Sequence, residues 1–135
     1  MGLIYLDSAF CIYAAEYLDS TGDRARELIA SSDSDFAISP LVRMECLVMP
    51  IRLARFDLES EYKRFFAMLT LLPITAEVYE QATLLRAAHQ SLRTPDAIHL
   101  ATAQVNGCSR LWTGDVDFAR VGAPFVRNVF ASLPQ

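Results

Sequence analysis

Four short stretches of the chain present carboxylates where a packed core would not ask for them: Leu6-Asp7-Ser8, Arg43-Met44-Glu45-Cys46, Thr94-Pro95-Asp96-Ala97 and Thr113-Gly114-Asp115-Val116-Asp117. Each lies at the end of an apolar strand-like run or inside an otherwise apolar helical one. Acids spread along most of the chain, yet sited so similarly, imply one pocket assembled by folding. Carboxylates gathered in one place stay ionised together only with a cation among them. Oxygen ligands without a Cys/His set point to Mg²⁺ or Mn²⁺.

Each acid also has a plainer use. Asp7 follows the first apolar run, where ligands bind in open α/β sheets, but a turn or N-cap Asp would stand in the same place. On a helix, Glu45 falls within about 60° of Leu41, Val42, Val48 and Met49, given an advance of ~100° per residue. It should therefore be buried on an apolar face, and a buried ionised acid needs a partner. A metal ion and Arg52, two turns on along that face, both answer the need. Asp96 falls in the first turn of its helix, where a carboxylate suits the helix dipole. That helix is apolar on nearly every side, through Ala97, Ile98, Leu100, Ala101, Ala103 and Val105, so its start belongs inside the protein or at a cleft. Asp115 and Asp117 end another apolar run, repeating the position of Asp7, with an Asx-turn as the alternative. One of these two suffices as a direct ligand, while the other could hold a ligand water. His99, one turn after Asp96, is read as a core histidine with one hydrogen bond, and a role in proton transfer or substrate contact is the alternative. His89 is read as a surface residue, and Tyr5, Phe10, Trp112 and Phe118 as core aromatics rather than base-stacking platforms.

The elements that must position these acids alternate. Strands are predicted at Leu3–Leu6, Phe36–Ile38, Leu72–Thr75, Arg110–Thr113 and Pro124–Val126. Helices are predicted from Ala9 to about Tyr17 with Ser8 as cap, over Asp23–Ala30, from Pro40 to about Met49, over Leu58–Leu71, over Ala76–Gln90, and from Thr94-Pro95 to Val105. Ser39-Pro40 is a cap followed by Pro at the first helical position, and Pro50 is expected to kink or end that helix. Asn106-Gly107 terminates the last. Strands alternating with helices define an α/β chain: three layers, α/β/α, around a central, mainly parallel sheet. No internal repeat, glycine-rich phosphate loop or linker interrupts it, so residues 1–135 are read as a single domain.

With 53% hydrophobic and 21% charged residues, the chain is a folded one rather than a disordered one. No apolar run approaches the roughly 18 residues that span a bilayer, and the start shows no charged leader and cleavage site. Cys11, Cys46 and Cys108 are odd in number and set among apolar neighbours, which reads as buried thiols in a reducing cytoplasm. The net charge of −4 excludes a general polyanion binder. All but one of the twelve bases are Arg, however, and Arg suits forked phosphate contacts. Arg43, Arg52, Arg86 and Arg93 are the candidates for such contacts.

Taken together, the blocks Leu3-Ile4-Tyr5-Leu6-Asp7-Ser8, Ser39-Pro40-Leu41-Val42-Arg43-Met44-Glu45, Leu92-Arg93-Thr94-Pro95-Asp96-Ala97-Ile98-His99-Leu100-Ala101-Thr102-Ala103 and Trp112-Thr113-Gly114-Asp115-Val116-Asp117-Phe118 resemble the PIN-domain nucleases, and more narrowly the VapC-like toxins of toxin–antitoxin pairs. The resemblance covers nearly the whole chain. It implies a PIN-like fold and a divalent-metal-dependent endoribonuclease, with Mg²⁺ (or Mn²⁺) held by Asp7, Glu45, Asp96 and one of Asp115 and Asp117. It also implies cleavage of RNA by an activated water to 5′-phosphate and 3′-hydroxyl ends, a homodimer, and a small antitoxin inserted near the metal site. Two other functions stay open: a PIN-fold RNA-processing or DNA nuclease outside toxin–antitoxin biology, and an inactive PIN-like interaction module whose acids pair internally with Arg. A phosphatase or receiver domain is disfavoured, because Lys63 is the only lysine.

Overall fold

The computed structural model describes residues 2–130. Its elements run β1 (Leu3–Leu6), α1 (Ser8–Glu16), α2 (Ser20–Ser31), β2 (Asp35–Ile38), α3 (Pro40–Arg52), α4 (Phe56–Ala67), β3 (Thr70–Leu71), α5 (Ala76–Ala88), α6 (Thr94–Val105), β4 (Arg110–Thr113), α7 (Val116–Gly122) and β5 (Val126–Asn128). The five strands form one parallel sheet in the order β3-β2-β1-β4-β5.

That order explains where a site can form. The chain moves outward from β1 through β2 to β3, then returns across the sheet to β4 on the other side of β1. Parallel crossovers are right-handed, so the outward helices cover one face and the returning ones the other. Accordingly α1 packs with α2, α3 and α4, while α5 packs against α6. The direction reverses between β1 and β4, and the loops leaving their carboxyl ends part there to leave a crevice. Strand β1 is buried on both faces, with Ile4, Tyr5 and Leu6 at most 6% exposed, as a continuously apolar central strand should be. Phe36, Ala37, Ile38 and Leu111 extend the same core.

Several expectations need correction. Helix α1 begins at Ser8 and is capped by Asp7, not by Ser8. Helix α2 starts at Ser20, because Asp19 accepts from the amides of Thr21 and Gly22 and pulls the first turn forward. Pro50 does not end α3, which runs on to Arg52; it is buried beside Cys46 and Leu47 and lies near enough the end that few backbone bonds are forfeited. The chain turns instead at Ala54, whose φ is +53°. Helix α4 stops at Ala67, so β3 lies over Thr70–Leu71, ahead of the predicted Leu72–Thr75, and Leu72 N follows with a bond to Ile38 O. Strand β5 starts at Val126 rather than Pro124. Helix α7 was not anticipated, since seven residues carry too few apolar repeats to register as a period. Cys11, Cys46 and Cys108 are free and buried, and no helix among the described residues is long and apolar enough to cross a membrane.

Candidate active site

Asp7 is the first residue beyond β1. Its N–H donates to Trp112 O at 3.3 Å, which draws the ends of β1 and β4 together. Its Oδ1 accepts from Phe10 N at 3.0 Å, capping α1. The residue is 4% exposed, and burial raises its carboxyl to about 6, opposed by neighbouring His99 and by hydrogen bonds from Thr113 and Phe10.

Asp115 stands at the same place after β4 and behaves alike. Its Oδ1 accepts from Asp117 N at 2.9 Å and Phe118 N at 3.1 Å, capping α7, while Oδ2 turns toward Arg93 at 3.4 Å. Asp96 is in the first turn of α6, with its side chain largely buried and its Oδ2 3.2 Å from Arg93 Nε. Burial raises its carboxyl and the Asp115 charge adds to this, while Arg93 opposes both.

Glu45 sits where the face of α3 changes character. Val42, Cys46, Leu47 and Pro50 are buried, whereas Val48 and Met49 are exposed, so the acid lies at the rim of the core rather than amid an apolar stripe. Arg52 is not its partner; that side chain is exposed and reaches Met49 Sδ. Glu45 Oε1 instead accepts from Ser8 Oγ at 2.5 Å and lies 2.8 Å from His99 Nε2. Burial alone would raise the Glu45 carboxyl, but the hydrogen bonds from His99 and Ser8, with Arg93 nearby, bring it below its ordinary value. His99 has more than the one partner expected of it: besides Glu45, its Nδ1 lies 2.7 Å from Tyr5 Oη and its Nε2 3.5 Å from Ser8 Oγ.

Asp7, Glu45, Asp96 and Asp115 thus line a single cavity of about 160 Å³, together with Ser8, Arg93 and His99. Arg93, Asp96 and Asp115 also wall an adjoining cavity of about 300 Å³ that opens toward Arg120. Asp117 lines only that outer space, is 85% exposed at its side chain and pairs with Arg120 at 3.1 Å. Of the Arg residues singled out for phosphate contact, Arg93 alone reaches the inner cavity. Arg86 braces the turn into α6 through Leu92 O and Thr94 Oγ1, and Arg43 stacks on Phe66. Arg120 is the residue that sequence reasoning missed, because the helix that turns it toward the cleft was itself unseen.

Among the described residues no three His, Cys, Asp or Glu side chains stand grouped as a ready-made metal site. The reason is visible in the partners. Arg93 draws Asp96 and Asp115 to itself, and Glu45 leans on Ser8 and His99, which is how crowded carboxylates relieve repulsion with the protein's own donors. The donor set nevertheless fits a hard divalent ion. It is all oxygen, it includes an acid destabilised by burial, and Arg93 is 69% exposed, so its pairing with Asp96 is worth roughly 1 kcal/mol or less and yields easily.

The PIN domain family profile matches residues 4–124, and the chain belongs to that family. Solved structures with the same fold include Mycobacterium tuberculosis VapC20, a sarcin-ricin loop cleaving toxin, at 22% identity and a TM-score of 0.75 over 93% of this chain and 99% of that one. A toxin–antitoxin complex from Klebsiella pneumoniae matches at 22% identity and a TM-score of 0.76, over 93% and 97%. DNA-bound VapBC from Salmonella typhimurium matches at 17% identity and a TM-score of 0.75, over 96% and 99%. A comparison with curated proteins gave no match.

Proposed function

We propose that this protein is a divalent-metal-dependent endoribonuclease, the toxin of a toxin–antitoxin pair. One observation carries the reading: four carboxylates from four separate elements line one small cavity at the point where strand order reverses. Membership of the PIN family supports nuclease chemistry. The toxin–antitoxin assignment draws its support from the likeness to VapC20 and to the two-component complexes.

Asp7, Asp96, Asp115 and the free oxygen of Glu45 are the residues that would hold Mg²⁺ or Mn²⁺. When bound, such an ion supplies a more acidic water and positive charge beside a scissile phosphate. The protein contributes the rest. Asp7 and Asp115 are each fixed through Oδ1 by helix-start amides, which leaves Oδ2 aimed by the backbone rather than by a mobile side chain. Asp96, its carboxyl raised by burial, is suited to take a proton at Oδ1, the oxygen that Arg93 does not hold. Arg93, whose exposed pairing with its two acids would yield were an ion held there, and Arg120 at the outer cavity would hold RNA phosphates by forked hydrogen bonds.

The test is cleavage of total RNA by purified protein. Cleavage should stop with chelator and return with Mg²⁺ or Mn²⁺; undiminished cleavage in chelator would remove the metal from the reaction. The pairing of Arg93 with Asp96 and Asp115 favours one other reading, an inactive interaction module. Calorimetry with Mn²⁺ separates the two, because an ion-paired module takes up none.

Partners follow the same reading. A small antitoxin presenting a basic side chain to the acidic cavity would be a complementary inhibitor. The homodimer has exposed apolar side chains to use at Val48, Ile51, Leu53 and Phe56, around the junction of α3 and α4. Light scattering on the purified protein reads that state directly.

A further inference from the structure

Behind the cavity runs a line of buried hydrogen bonds that holding a cation does not itself require. Ser39 Oγ, which caps α3 by accepting from Val42 N, lies 2.7 Å from Tyr5 Oη. Tyr5 Oη lies 2.7 Å from His99 Nδ1, and His99 Nε2 lies 2.8 Å from Glu45 Oε1. Ser39, Tyr5 and His99 come from the end of β2, from β1 and from α6, and none is more than 2% exposed. A line assembled from three elements and almost wholly buried is not a surface accident.

Its direction can be worked out from the acid end. A carboxylate only accepts, so His99 Nε2 must carry the hydrogen it shares with Glu45. In the neutral ring Nδ1 is then a lone pair, which can only accept from Tyr5 Oη. Tyr5, its hydrogen committed, accepts in turn from Ser39 Oγ, whose oxygen itself accepts from Val42 N. Every hydrogen is used once. With a hydrogen on Nδ1 the Tyr5 hydroxyl would turn to Ser39, and Ser39 Oγ has no further partner among the described residues to receive its hydrogen. Such an orphaned buried hydroxyl is unfavourable.

We propose that Ser39, Tyr5 and His99 form a positioning relay that locks one tautomer of His99 and pins Glu45 by Oε1, leaving Oε2 alone to face the cavity. Ser8 Oγ, beside His99 Nε2 at 3.5 Å, donates to the same Oε1 and completes the pin. Among the described residues Oε2 makes no hydrogen bond. The relay thereby fixes how many oxygens Glu45 offers to a ligand, and from which direction. That Oε2 meets a divalent ion rests on the nuclease reading, whereas the tautomer does not.

The experiment uses metal-free, ¹⁵N-labelled protein in chelator at pH 7.5. The chain has two histidines, His89 and His99, so the imidazole nitrogens are assigned with little overlap. Long-range ¹H–¹⁵N spectra should give His99 as a single Nε2–H tautomer, with exposed His89 as the averaging reference. Tyr5→Phe, which removes only the hydroxyl, should release His99 into a mixture. A His99 with both nitrogens protonated, a hydrogen on Nδ1 alone, or a tautomer unmoved by Tyr5→Phe would each overturn the relay. Calorimetry with Mn²⁺ supplies the second arm. Tyr5→Phe and His99→Leu should weaken binding ~10-fold or more, while His99→Gln, whose amide nitrogen reaches the position of Nε2, should recover most of it. Equal weakening by the Leu and Gln variants overturns the proposal. A native chain that takes up no Mn²⁺ at all defeats the nuclease reading instead, and the tautomers still decide the relay.

Discussion

In chelator at pH 7, Asp7→Asn is expected to melt above the native protein, although the same change should slow RNA cleavage on the order of a thousandfold or more. The carboxyl of Asp7 is pushed up to about 6 in the fold, mainly by burial, whereas an unfolded chain releases that proton near pH 4. Between those values the folded form holds a proton that the unfolded form has lost, so stability falls as pH rises through the window. Above pH 6 the fold carries the full penalty of an ionised, desolvated acid, about 2–3 kcal/mol. Asn removes the charge but still caps a helix, so the Phe10 amide keeps its acceptor. A gain on the order of 5–10 °C should follow at neutral pH and vanish below about pH 4, where both states of the native protein are protonated. Scanning calorimetry of both proteins from pH 4 to 8 checks this. An Asn variant no more stable than the native chain at pH 7 would mean that Asp7 is not a strained acid awaiting a cation.

The two uses weighed for the acids turn out not to compete. Asp7 is a helix cap, as the plain reading had it, Asp115 caps a helix where an Asx-turn was the alternative, and both are also cavity carboxylates. A carboxylate has two oxygens, and a helix that begins at once after a buried strand spends one on its own amides and turns the other outward. This is why strand ends in a parallel sheet carry chemistry well: the cap makes the aim rigid, and the strand makes it repeatable.

What could be read in advance follows the range of the forces involved. The short apolar run Leu3–Leu6 and the cap-plus-Pro starts at Ser39-Pro40 and Thr94-Pro95 are local signals, and β1, α3 and α6 fall where they point. Helix α7 hangs on one Asx cap and a single buried residue, Phe118, so it left no period to detect. The partner of Glu45 was out of reach for another reason. Arg52 is near in sequence and right in charge, yet the neighbours that decide the matter are Ser8 and His99, one on α1 and one on α6, and only the packing of three helices brings them together. His99 was likewise undervalued because its second hydrogen bond belongs to Tyr5, ninety-four positions away.

The pair Asp115 and Asp117 gives the sharpest functional contrast. Both follow β4, both are acids, and the sequence pattern alone leaves the choice between them open. In the fold their surroundings differ. Asp115 shares the inner cavity with Asp7, Glu45 and Asp96, and its Oδ1 is anchored by two amides. Asp117 is exposed and pairs with Arg120 one turn on along α7, at the edge of the outer cavity. Asp115→Asn, which can keep the α7 cap, should therefore reduce kcat/KM on the order of a hundredfold or more and loosen Mn²⁺. Asp117→Asn should leave Mn²⁺ affinity unchanged and move cleavage only a few-fold, through KM, because Arg120 then loses a weak, exposed partner. Calorimetry and steady-state cleavage on the two variants side by side distinguish the roles. Equal losses of metal affinity would place both carboxylates at the ion and require the start of α7 to rearrange when it binds.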